Sequence, residues 1–176
     1  MIRCFDFLFS LLGLIFLSPL LFFVFFIGLF ENGSPLFLQK RIGYNLKSFL
    51  LIKFRTMPAG VRSAGTHLIK DIQLSSFGYF LRRTKIDEIP QLLNVLIGDM
   101  SLVGPRPCLF NQKKLINERK KRGVFKVRPG ITGLAAINGI NMKTPTLLAK
   151  TDQKMIKNMS LYNYFYYIFK TIFKII

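Results

Sequence analysis

Two adjacent carboxylates, Asp87 and Glu88, stand where the chain has few acids. Residues 32–176 carry 25 Lys and Arg but only six acids: Asp71, Asp87, Glu88, Asp99, Glu118 and Asp152. Arg82, Arg83 and Lys85 lead directly into the pair, and Gly98-Asp99-Met100-Ser101-Leu102-Val103-Gly104-Pro105-Arg106-Pro107 follows it. Prolines on both sides of Arg106 restrict the backbone, so its guanidinium can be held in place, and a planar fork of donors suits bidentate phosphate binding. Arg128-Pro129-Gly130-Ile131-Thr132-Gly133 repeats the idea, with glycines that let backbone amides approach an anion. Each turn alone is ordinary. Together they surround two carboxylates with phosphate-binding groups.

The elements that must position these groups are partly readable. Ile89, Leu92, Leu93 and Leu96 fall on one helical stripe, which predicts a helix over 87–97 with Pro90 in its first turn and Gly98 as its stop. Asp87 then stands at the helix start. A structural reading accounts for it there as well, since Asp is a favoured N-cap and Glu in the first turn suits the macrodipole. Asn32-Gly33-Ser34-Pro35 reads as a turn, 36–39 and 50–54 as short strands, and 40–45 as a hairpin-like loop. Residues 77–83 read as helical. Residues 58–76 are polar and mixed, and their lone His67 reads as a surface residue.

The chain has 176 residues, 51% of them hydrophobic, with 19 Phe, no Trp and a net charge of +18. Such an apolar content excludes a disordered basic tail. Two cysteines, Cys4 and Cys108, exclude a disulfide scaffold. The charge is uneven: residues 32–176 hold +19, which points to polyanionic partners. Phe7 to Phe30 contains no charge and would reach roughly 36 Å as a helix, enough for a hydrocarbon core. It is too long for a signal-peptide core and no A-x-A site follows it, so it reads as a membrane segment. Ser18-Pro19 at its midpoint predicts a kink or break, with Ser18 able to satisfy a freed carbonyl. A kinked spanning helix and a helix-break-helix both fit. In either case the basic flank puts the main body in the cytoplasm.

Lys53-Phe54-Arg55-Thr56-Met57, Ile86 to Leu96, Gly98 to Pro107 and Arg128 to Gly133 occur in this order over nearly the whole chain. In these blocks the sequence resembles the bacterial sugar transferases that act on polyprenyl phosphate, the small monotopic phosphoglycosyl transferases. The resemblance implies a mixed α+β, mostly helical fold with a few short strands and amphipathic interfacial helices. It also implies a re-entrant membrane helix over 1–31, broken at Ser18-Pro19, and a compact catalytic domain over 32–176 at the cytoplasmic face of the bacterial inner membrane. The implied reaction moves a sugar 1-phosphate from a UDP-sugar to polyprenyl (undecaprenyl) phosphate and releases UMP. Asp87 would be the nucleophile and Glu88 a Mg²⁺ ligand. Arg82, Arg106 and Arg128 would contact phosphate, and Lys53, Arg55 and Asp152 would support the site. The chemistry suits these types: a carboxylate can attack phosphorus and hold a phospho-sugar, while Mg²⁺ and arginines neutralise the leaving nucleotide.

Two positions depart from the family pattern. Ala136 stands for a Gln and Ile140 for an Arg, which leaves a degenerate family member as an alternative. From Leu161 to Ile176, Phe165, Phe169, Ile172, Phe173 and Ile176 form one stripe beside Lys170 and Lys174. Tyr162, Tyr164, Tyr166 and Tyr167 suit headgroup depth, so the segment reads as lying in contact with membrane lipid. A core-facing helix is the competing reading. A non-enzymatic basic binder of polyanions is the alternative from another class. No nucleic-acid-binding motif is present, and no nucleic-acid partner is expected. The sugar, the pathway and the oligomeric state stay open.

Overall fold

The computed structural model describes residues 1–57 and 74–175; the polar stretch with His67 lies largely outside them, as does Ile176. Helix α1 spans Ile2–Asn32 and is followed by strands β1 (Leu36–Ile42) and β2 (Ser48–Phe54). Then come α2 (Ser76–Thr84), a 3-10 turn over Ile86–Glu88, α3 (Gln91–Ile97) and β3 (Ser101–Val103). The chain continues through α4 (Lys113–Lys121), β4 (Gly130–Thr132), α5 (Leu134–Ile137), α6 (Pro145–Lys157) and α7 (Leu161–Ile175). The described residues are thus mostly helical with a few short strands, as expected.

Helix α1 is not interrupted at Ser18-Pro19: it runs unbroken with Pro19 inside it. The amide that Pro19 lacks would have bonded the Ile15 carbonyl, and Ser18 Oγ donates to that oxygen at 2.8 Å. An 18-residue stretch of the helix has a mean hydropathy of 2.6, and the helix is long and apolar enough to cross a membrane. Yet it touches the body near both ends. Ile2 and Phe5 join the cluster of Val103, Met155, Tyr164 and Tyr167, while Leu21 and Val24 pack with Phe54 and Leu81. Between them Gly13 faces Leu92, where an added Cβ would come within 3.1 Å of the Leu92 side chain. Its opposite face, including Phe16, Phe22, Phe23 and Phe30, is exposed.

The N-terminal turn is pinned by one carboxylate. Asp6 is buried, and its Oδ1 accepts from Ser101 Oγ (3.0 Å), the Leu102 amide (2.9 Å) and the Tyr164 hydroxyl (2.9 Å). Arg3 beside it donates to the carbonyls of Leu96 and Met100, which emerge at the end of α3. One turn of α1 therefore meets α3, β3 and α7.

β1 and β2 form an antiparallel hairpin in the register Leu36↔Phe54 to Ile42↔Ser48, longer than the two strands expected. The free edge of β2 is covered by a side chain. Asn94 accepts from the Ile52 amide at 3.0 Å and donates to the Leu50 carbonyl at 2.7 Å. The apolar stripe is not the most buried face of α3: Gln91, Asn94 and Val95 are its buried residues, while Leu93 and Ile97 are exposed. Periodicity located the stripe, but of its leucines Leu92 meets Gly13 of α1 while Leu93 is exposed, and the strand edge takes Asn94 because its backbone groups need an amide.

β3 and β4 pair in parallel. Gly104 and Gly130 serve this contact and not an anion cradle: a Cβ on Gly104 would lie 2.6 Å from the Arg128 carbonyl, and one on Gly130 would overlap the Gly104 backbone. Helix α7 is two-faced. Tyr164 and Tyr167 are buried, not at headgroup depth as expected, while Tyr162, Phe169, Ile172 and Phe173 are exposed. Phe165 packs edge-on against Phe5 and Phe9 of α1.

Replacing Asp6 by Leu strands three donors in the interior, one of them a backbone amide. Asp6→Leu is expected to destabilise the detergent-solubilised protein by about 3 kcal/mol or more, and Tyr164→Phe, which removes one donor, by about 1 kcal/mol. Thermal unfolding of the purified variants checks the order. Equal losses would show that Asp6 acts through Tyr164 alone.

Candidate active site

Asp87 and Glu88 lie on the 3-10 turn over Ile86–Glu88, not at the start of an α-helix. Pro90 explains the difference. It has no amide to close an α-helical bond, so the chain continues with i→i+3 bonds: Glu88 N to Lys85 O, Ile89 N to Ile86 O and Leu92 N to Ile89 O. The α-helix proper begins only at Gln91. Asp87 makes no capping bond, and Oδ1 is buried without a partner. The capping reading therefore fails. Lys85 turns the chain into the pair with a left-handed backbone (φ 60°) that a non-glycine residue rarely adopts.

Several cations surround the pair. Burial, reinforced by the charge of Glu88, raises the Asp87 carboxyl from 3.8 to about 6, while Lys53, Lys85 and Arg82 pull the other way. Lys53 reaches the site from β2, sits over the Phe37 ring at 5.3 Å, and has its own pKa lowered by burial against the attraction of both carboxylates. Arg82, in the last turn of α2, donates to Thr56 Oγ1 at 2.8 Å. Burial alone would raise Glu88, but Arg106 reverses it. Its Nη2 lies 2.6 Å from Glu88 Oε1 and holds that carboxyl below the usual range. Glu88 in turn raises the Arg106 guanidinium.

Of the eight residues expected at the site, the structure brings together Asp87, Glu88, Arg82, Arg106 and Lys53. Three are elsewhere. Arg128 donates to the Gly98 carbonyl at 2.7 Å and lies over the Tyr44 ring, drawn away by that carbonyl and that π-face. Arg55 is held at the start of β1 by the carbonyls of Ser34 and Leu36. Asp152 is buried on α6 against Arg119 of α4, not beside the carboxylates. Sequence reasoning left out Lys85 as a site residue, although it precedes the pair directly. It also missed Arg41, whose burial and proximity to Arg106 lower its pKa to about 10. Nothing in the local pattern marks Arg41, because only the hairpin carries it toward Arg106.

No group of three or more His, Cys, Asp or Glu is gathered for a metal among the described residues. The donors still fit Mg²⁺, which takes one or two carboxylates and completes its shell with water and substrate oxygens. Asp87 Oδ1, buried without a partner, and Glu88 would supply them. Of the two departures, Ile140 packs against the core of Ile42, Cys108, Leu115 and Ala135, and Ala136 is exposed on α5. Ile140 is accounted for by packing.

A fold of this kind, with a carboxylate pair ringed by cations beside an apolar helix, suits chemistry on phosphates near a membrane. The chain belongs to the bacterial sugar transferase family, whose model matches residues 1–176. It is 45% identical over 139 residues to the uncharacterized sugar transferase EpsL of Bacillus subtilis, covering 76% of this chain and 68% of that protein. It is 35% identical over 188 residues to the exopolysaccharide production protein ExoY of Sinorhizobium fredii, covering 97% and 83%. With the undecaprenyl-phosphate galactose phosphotransferase of Salmonella typhimurium it shares 31% over 186 residues, covering 96% of this chain but 39% of that protein.

The raised Asp87 pKa sets a stability test. Because the folded carboxyl titrates near 6 and the unfolded one near 3.8, the folded state holds the proton more tightly between those values. Stability therefore falls as pH rises through that window, and the full penalty is present above about 6. Without added metal, Asp87→Asn is expected to be more stable than the wild type at pH 8, on the order of 2 kcal/mol. The gap should close by pH 4. Thermal unfolding at the two pH values measures it, and a variant equally stable or weaker at pH 8 contradicts the burial penalty.

Proposed function

We propose that the chain transfers a sugar 1-phosphate from a UDP-sugar to polyprenyl phosphate, releasing UMP, with Asp87 as nucleophile. The observation that carries this reading is the free, buried Oδ1 of Asp87 beside Glu88 and within reach of the charges of Lys53, Lys85 and Arg82. A carboxylate without a structural partner is poised to react, and cations around it lower the repulsion between it and an anionic substrate. Relatives named as transferases acting on undecaprenyl phosphate support the acceptor class.

In the first step an Asp87 oxygen attacks the phosphorus that bears the sugar. The bond from that phosphorus to the bridging oxygen of the diphosphate breaks, and UMP leaves with the electron pair. Asp87 then holds the phospho-sugar as an acyl phosphate. In the second step a phosphate oxygen of the lipid attacks the same phosphorus and restores the Asp87 carboxylate. Neither step needs a proton to be removed from the nucleophile. Arg106 would leave Glu88 to meet donor phosphate, and Lys53 and Arg82 would stabilise charge on the transferring group. Mg²⁺, when bound through Asp87 or Glu88, supplies further positive charge against phosphate oxygens.

The same reading places the body at the cytoplasmic face of the bacterial inner membrane, where nucleotide sugars are available. Contacts from Ile2 and from Val24, about 33 Å apart along a straight helix, reach one body. A helix crossing the bilayer would carry one of these ends away from it. The exposed Phe face of α1 and the outer face of α7 then meet lipid together, and α1 lies along one side of the membrane without crossing it.

With UDP-sugar and Mg²⁺ but no lipid acceptor, the enzyme is expected to release about one equivalent of UMP. Its intact mass should rise by one sugar phosphate, mapped to Asp87, and Asp87→Asn should show neither. Normal turnover with lipid but no burst would favour direct attack by the acceptor instead. The burst should also weaken as pH falls through about 6, where Asp87 takes up a proton.

Topology is open to a thiol probe, because Cys4 is exposed and Cys108 buried. A membrane-impermeant maleimide should leave Cys4 unlabelled in intact cells and label it once they are permeabilised. Labelling in intact cells would refute the one-sided placement.

A further inference from the structure

The segment that carries Arg106 is held through its carbonyls. Pro105 and Pro107 have no amide hydrogens, so donors must come from outside the segment. Four successive oxygens accept them. Pro105 O accepts from the Gly130 amide at 3.0 Å, and Arg106 O from Arg119 Nη1 at 2.8 Å. Pro107 O accepts from Arg41 Nη1 at 3.1 Å, and Cys108 O from the Ile42 amide at 3.1 Å. The donors come from β4, α4 and β1, so three separate elements fix the path of one short loop.

The bond from Arg119 differs from the others in two ways. It reaches the carbonyl of the very residue whose side chain meets Glu88, and its donor is itself immobilised. Arg119 is only 2% exposed and Asp152 1%. Nε donates to Asp152 Oδ2 at 2.9 Å, and Nη2 lies 2.7 Å from the same oxygen. A guanidinium is a rigid plane, so the Nε hydrogen bond to Asp152, with Nη2 in ion-pair contact with the same oxygen, fixes the direction in which Nη1 points. An ammonium has no such second direction. A buried ion pair adds little to stability compared with apolar residues of similar volume. A pair with one donor aimed at the Arg106 carbonyl suits a different role.

We propose that Arg119, locked by Asp152, is a positioning residue that sets the reach of the Arg106 guanidinium toward Glu88 and donor phosphate. The inference rests on reading the Arg106–Glu88 site as the site of sugar-phosphate transfer. Arg119 touches no reacting atom. It acts through the Arg106 backbone, 13 residues away in sequence. Asp152, on α6, belongs to the site only through this relay.

The test is a double-mutant cycle on full-length protein in detergent, reading UMP release with UDP-sugar and polyprenyl phosphate, and thermal unfolding. Arg119→Lys keeps the charge beside Asp152 but loses the fork. The paired replacement Arg119→Met with Asp152→Leu removes both charges together, so that neither is left buried alone. Each is expected to lower kcat by about tenfold or more, with the apolar pair unfolding close to the wild-type temperature. Arg106→Gln alone should lose more. In the Arg106→Gln background either change should cost less than about twofold, because the side chain being positioned is gone. Losses that multiply in that background, or an apolar pair with wild-type turnover, would overturn the proposal while leaving the Arg106 site intact. Failure of both Arg119 variants to fold would make the pair a structural strut and overturn it too. If Arg106→Gln turns over at the wild-type rate, the reading of the site fails, and the positioning role fails with it.

Discussion

The arrangement of this protein depends on one buried carboxylate outside the candidate site, Asp6. Asp6 gathers a serine hydroxyl, a backbone amide and a tyrosine hydroxyl onto a single oxygen. Those donors belong to β3, the residue after its start, and α7, so an anion on the first helix joins the two ends of the chain. A charged group costs free energy to bury unless its hydrogen bonds are made. Here they are made only if α1 lies against the body, which turns an otherwise featureless apolar helix into one with a defined register. Arg3, bonded to the carbonyls at the end of α3, closes the same contact from the other side.

From that anchoring the site inherits its geometry. α1 packs along α3, and α3 follows directly from the turn that carries Asp87 and Glu88. Asn94 uses the buried face of α3 to close the edge of β2, and β2 delivers Lys53. β1, its partner, delivers Arg41 to the Pro105–Pro107 loop. The hairpin and the first helix thus meet beside this turn, where Val24 and Phe54 share a cluster with Ile86. Burial and the neighbouring Glu88 make ionised Asp87 costly, and cations offset part of that cost. A buried carboxylate oxygen without a partner carries a desolvation cost, tolerated by a frame that is well bonded elsewhere.

Aromatic residues divide between two tasks. Tyr164 and Tyr167 fill the interior next to Val103 and Met155, while Phe169 and Phe173 on the same helix remain exposed. Both faces of α7 are apolar, so composition cannot tell which meets protein. Phe165 settles it, meeting Phe5 and Phe9 edge-on and orienting α7 beside α1. The hydroxyl of Tyr164 adds the polar constraint, because a buried phenol needs an acceptor and Asp6 provides it.

The sequence by itself determined the long apolar helix, the carboxylate pair among cations and the Pro-Arg-Pro loop. These are signals of composition and of neighbours along the chain, set by hydrophobicity, charge and fixed proline dihedrals. It located the α3 stripe correctly but not the most buried face of α3, because the β2 edge that demands Asn94 lies more than 40 residues away. Ser18 could be matched to a carbonyl freed by Pro19, since that bond is local. Arg128 and Arg55 shared the pattern of phosphate ligands and yet serve carbonyls elsewhere. Arg41 and Arg119 carried no local mark and yet hold the loop of Arg106. Only the tertiary structure decided among these arginines: a guanidinium goes to the nearest acceptor lacking a donor, and which acceptors lack donors is settled by the packing of distant elements.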